Sequence, residues 1–159
     1  DDDSYDSIIK VAIDNHSRLF IVDGLEEREL LHSKIIRDAD KLDNFRVKLD
    51  EKIENIFPGK IKDKFEMENS TISLEVMEKV REHKPISLND RKTILDYWIC
   101  VLAFVFDLNF DLSLEIVKEN NYIDLLIDRF EYKDTETKMN MEEIRQIIKK
   151  FIDDKITYK

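Results

Sequence analysis

The chain has 159 residues, 39% of them charged and 42% hydrophobic, and a formal net charge of −10. That acidity excludes a nucleic-acid backbone or an anionic membrane surface as the main partner, because either needs a basic face. One cysteine, Cys100, excludes an internal disulfide and a thiolate zinc cluster, and two glycines exclude a Walker loop or a dinucleotide fingerprint.

With Gly 2 and Pro 2, the chain has few residues suited to tight turns or to ending an element, which points to an all-α protein. Its length suits a single helical module over residues 1–159. No signal peptide is visible, since Asp1-Asp2-Asp3 is the wrong charge for a targeting n-region, and a cytoplasmic setting is expected.

In chain order, residues 4–16 read as a helix capped by Asp3 or Ser4, with Tyr5, Ile9, Ala12, Ile13 and His16 on one stripe. Val22-Asp23-Gly24 is a turn. A second helix runs from Glu26 to about Leu49 with two apolar faces. One carries Leu31, Ile35, Asp38, Leu42, Phe45 and Leu49. The other carries His32, Ile36, Asp40, Asp43 and Val47, so that Asp40 is expected to point into a packed layer.

Phe57-Pro58-Gly59 breaks the chain, and residues 60–70 read as loop. Ser73 opens a short helix that ends before Pro85. Ser87-Leu88-Asn89-Asp90 resembles a capping box and opens a helix over about 90–107, whose Ile94–Phe106 stretch is the expected core, with Cys100 a small buried residue within it. That stretch is too short to span a bilayer. Asp111 or Ser113 caps the next helix, Asn120-Asn121 is a junction, and residues 122–130 are helical. Thr135-Glu136-Thr137 reads as a surface loop, and a last amphipathic helix covers about 140–154.

The densest chemistry lies in Ile35-Ile36-Arg37-Asp38-Ala39-Asp40-Lys41-Leu42-Asp43, three carboxylates and two cations inside a helix with apolar flanks. An EF-hand is excluded: counting Asp38 as the first ligand, the sixth position is Asp43 instead of Gly and the twelfth is Leu49 instead of Glu. There is no His-Glu-x-x-His for a zincin site and no nucleophile elbow. A His/Asp site for Mn, Fe or Mg remains, with His16 and Asp40 as ligands.

The segment Ile36–Asp43 resembles the last metal-binding motif of the HD-domain phosphohydrolase superfamily, in which an Ala-Asp-Lys/Arg-Leu run on a helix supplies the final aspartate ligand. Ala12-Ile13-Asp14-Asn15-His16 is similar to the Ala-Ile-x-Asn-His segment of one bacterial branch. Leu95-Asp96-Tyr97-Trp98 and Phe106-Asp107-Leu108-Asn109-Phe110 extend the resemblance downstream.

This resemblance implies an HD-like helical bundle and a metal-dependent phosphohydrolase acting on a nucleotide or another small phosphate ester. Asp40 and, less firmly, His16 would hold a divalent metal. Lys41 and Arg37 would orient the site or meet the substrate phosphate, with Asp38 and Asp43 behind them. The family's His-Asp pair is missing, because His16, His32 and His83 are followed by Ser17, Ser33 and Lys84. The chain is therefore expected to be the C-terminal portion of such a protein. The alternatives are a non-catalytic nucleotide- or protein-binding module, and a structural helical domain. A homo-oligomer is compatible with each.

Overall fold

The computed structural model describes residues 5–157, and among them every regular element is helical. The expected caps Asp3 and Ser4 lie outside the described residues. The helices are α1 (Asp6–His16), α2 (Glu27–Asp50), α3 (Ile53–Ile56), α4 (Lys64–Asn69), α5 (Leu74–Arg81), α6 (Ile94–Leu102), α7 (Asp111–Glu119), α8 (Tyr122–Ile127) and α9 (Thr135–Thr157). Short 3₁₀ turns at Leu88–Asp90 and Ala103–Asp107 flank α6. Among the described residues no helix is long and apolar enough to cross a membrane.

The core forms around α6 and the turn that extends it. Leu95, Trp98, Ile99, Leu102 and Val105 are fully buried there, and Cys100 is buried beside them. Trp98 donates its indole N–H to Leu126 O and meets Phe130 edge-on at 4.9 Å. α9 closes the opposite side with Met141, Ile144, Ile148 and Ile152, packing on α5, α7 and α8. Helix α2 lies across α6, α7 and α8, and α1 packs back on α2 as a helical hairpin.

Helix starts follow local chemistry. Glu26 and Glu29 form a reciprocal capping box that opens α2, and Thr93 with Asp96 does the same for α6. Asp96 is fully buried, yet its carboxylate accepts from Ser73 N, Lys92 N and Thr93 N, which ties α5 to α6. The Ser87–Asp90 box also forms, but it opens the 3₁₀ turn, and the core helix begins only at Ile94.

Several boundaries differ from expectation: α8, expected over 122–130, ends at Ile127. Residues 64–69 are helix α4, because Asp63 accepts from Glu66 N and Met67 is buried. Thr135–Thr137 is the first turn of α9, with Asp134 accepting from the backbone and hydroxyl of the buried Thr137. The start of α7 is held by Asp38 of α2, to which Asn109 N and Phe110 N both donate, while Asp111 sits in the first turn.

The phase of α1 and α2 also differs. On α1 the buried residues are Ile8, Ala12 and Asn15, while Ile9 and Ile13 are exposed. On α2 the buried stripe is Ser33, Arg37, Asp38, Lys41, Phe45 and Lys48, while Leu31 and Ile35 are exposed. The spacing is helical, but the face turned inward is mostly polar.

Candidate functional site

The inward polar face of α2 is built around Arg37, whose side chain is 2% exposed. One terminal nitrogen, Nη1, donates to Asn15 O at 2.8 Å and Arg18 O at 2.6 Å. The other, Nη2, donates to Leu19 O at 3.2 Å and Asp107 Oδ2 at 2.5 Å. The guanidinium thus gathers three carbonyls at the end of α1 and one carboxylate from the turn after α6. Asn15 completes the brace: its side chain donates to Val11 O and accepts from Val22 N, closing the loop that leads away from α1.

Lys41, one turn after Arg37, places its ammonium 2.9 Å from the same Asp107 Oδ2 and 5.8 Å above the centre of the Phe104 ring. Asp107 is therefore shared by two buried cations, through a charge-assisted hydrogen bond from Arg37 and an ion pair with Lys41. Asp38, on the adjoining face, receives Asn109 N, Asn109 Nδ2 and Phe110 N. The Asp38 and Asp107 carboxylates together dock segment 107–110 onto α2.

Above this layer lies a cleft of about 540 Å³ between the end of α1, α2, the 85–91 segment and α6 with its following turn. It brings together four of the expected site residues, His16, Arg37, Asp40 and Lys41. Arg18 and Arg91 add cationic groups, and Ile86, Cys100, Ala103 and Phe104 give an apolar floor. Four cations face two carboxylates, Asp40 and Asp107, in a chain of net charge −10. That local reversal of sign favours an anionic ligand.

Asp40 is exposed on the cleft wall and does not point into a packed layer; its neighbour Asn44 donates to its carbonyl at 2.9 Å. His16 is half-buried, with Nδ1 2.5 Å from Ile13 O. Asp43 lies on the outer surface, paired with Arg46 at 2.8 Å. Among the described residues no three His, Cys, Asp or Glu side chains form a group able to hold a metal ion, so His16 and Asp40 do not by themselves make a ligand set.

Sequence reasoning missed Asn15, Arg18, Arg91 and the pairing of Asp107. Asp107 reads as an ordinary helix end, and its partners lie about 70 residues away. For Asn15 a signal exists: a polar residue on the face of Ile8 and Ala12, in register with both. Comparison with protein-family models, curated proteins and solved structures returned no match.

Proposed function

We propose that the chain is a binding module for a small phosphate ester, of which a nucleotide is one form, seated in the cleft between α1, α2 and α6. The observation that carries this reading is the cluster of Arg18, Arg37, Lys41 and Arg91 around an apolar floor in an otherwise acidic chain. The cations suit the phosphate and the floor of Ile86, Ala103 and Phe104 suits an organic group. Arg37 is occupied by backbone carbonyls, so it holds the frame; Lys41, Arg18 and Arg91 are the groups that reach a ligand.

Isothermal titration with ADP tests it. The expected result is saturable one-to-one binding that weakens as ionic strength rises and falls at least about ten-fold in Lys41→Met. No binding at millimolar ADP overturns it.

A second reading is favoured by one observation, that His16 and Asp40 reach the same cleft from different helices. In it the module belongs to an HD-like metal-dependent phosphohydrolase, with His16 and Asp40 contributing to a divalent metal site whose remaining ligands come from elsewhere. Elemental analysis of the purified protein and chelator-sensitive phosphatase activity separate the two readings. A metal-free, inactive protein that still binds ADP supports the binding module.

A further inference from the structure

Resting on the reading of the cleft as a phosphate site, we infer that Asp107 is a built-in competitor for the ligand, so that the cleft selects multiply charged phosphates over single negative charges. Asp107 lines the cleft, its side chain is a quarter exposed there, and a single oxygen of it takes both the Arg37 and the Lys41 cation. A carboxylate in that position imitates one oxygen of a bound anion.

The carboxylate is tethered on the Ala103–Asp107 turn, which Ala103 and Val105 anchor in the core. It therefore competes at an effective concentration on the order of millimolar or higher. An anion with one charge gains at Lys41 no more than Asp107 already supplies. A phosphate dianion or a pyrophosphate brings more charge and more acceptor oxygens, and it engages Lys41 together with Arg18 or Arg91.

The test uses the whole chain and two probes, inorganic phosphate and pyrophosphate. In the wild type, pyrophosphate is expected to bind more tightly than phosphate. Asp107→Asn keeps the shape and removes the charge; it is expected to tighten phosphate about ten-fold and to shrink the pyrophosphate preference, with the gain lost when Lys41→Met is added. Unchanged or weaker phosphate binding in a folded Asp107→Asn protein overturns the inference while leaving the cleft as a phosphate site. Binding of neither probe to either protein overturns both.

A measurement on the wild type does not depend on the variant folding. The Asp107 side-chain carboxyl ¹³C resonance is expected to move on saturation with pyrophosphate as Lys41 exchanges partners. A resonance that stays fixed while pyrophosphate binds overturns the inference.

Discussion

Arg37 on α2 and Asp107 on the turn after α6 meet at 2.5 Å across 70 residues of chain, and the same Arg37 holds the carbonyls of Asn15, Arg18 and Leu19. One side chain thus fixes the α1 hairpin, α2 and the end of the core helix relative to one another. The cleft lies where these elements converge, so its shape depends on this ion pair as well as on the apolar floor of Ile86, Ala103 and Phe104.

Replacing Arg37 by Met is therefore expected to be severe. It leaves Asp107 with Lys41 alone and strips three carbonyls of a donor, a loss of about 3–5 kcal/mol by analogy with other broken buried pairs. Urea unfolding followed by circular dichroism checks it; a cost near that of a surface substitution would show that the carbonyls are readily satisfied by water.

Asp38→Ala removes the acceptor for Asn109 N and Phe110 N at the start of α7. The expected cost is about 1–3 kcal/mol, tempered because Asn109 is exposed and water can reach it. Hydrogen exchange should localise the change, with faster exchange in segment 107–113 and little change in α9.

Asp40→Ala separates a ligand-facing residue from a structural one. Asp40 is exposed and no salt bridge is formed by it among the described residues, so stability is expected to change by no more than about 0.5 kcal/mol. Its removal takes a negative charge from the cleft, and ADP binding is expected to tighten. Weaker ADP binding, together with bound metal in the wild type, favours the hydrolase reading instead.

Acid sensitivity is expected from the α8–α9 contact. Burial raises the Asp124 carboxyl, but hydrogen bonds from Lys149 and Arg145 outweigh it and hold the group below its ordinary value of 3.8. A carboxyl whose folded value lies below its unfolded value adds stability that is complete above 3.8 and is lost as pH falls through the folded value. Asp124→Asn is therefore expected to cost stability near neutral pH and to flatten the fall in the urea midpoint below about pH 4. A midpoint that falls as steeply in Asp124→Asn as in the wild type assigns the acid sensitivity to other carboxylates.

Much of the fold was legible wherever local chemistry decides the structure. The Glu26 start of α2, the Phe57–Gly59 break, the Asn120-Asn121 junction and the core run from Ile94 all follow from caps, breakers and apolar density. The face of α2 is legible only in part: Asp38 and Phe45 of the expected stripe are buried and Leu42 and Leu49 pack on the core, but Leu31 and Ile35 are exposed. Hydrophobicity points to Leu31 and Ile35, yet Ser33, Arg37, Lys41 and Lys48 are turned inward; Arg37 and Lys41 find their partners on the loop after α1 and the turn at Asp107, which the helix sequence does not show. Periodicity fixes the spacing of a buried stripe but not its phase when the stripe is polar. The same substitution of phase put Ile9 and Ile13 of α1 on the inner face, where Ile8, Ala12 and Asn15 lie.

Part of the candidate site was legible for a different reason. His16, Arg37, Asp40 and Lys41 stand out in two separated segments of the sequence, and the fold brings all four to one cleft. What the segments do not contain is the remainder of that cleft, Arg18, Arg91 and the competing Asp107, which only the folded chain assembles.

The central claim, that this cleft receives a phosphate ester, is tested most directly by following backbone amide resonances of the uniformly ¹⁵N-labelled protein during an ADP titration. The account expects saturable shifts at Arg18, Leu19, Lys41, Ile86, Arg91 and Asp107, with the α9 residues Ile144 and Ile148 unmoved. Saturable shifts confined to other surfaces, or none at millimolar ADP, would contradict it.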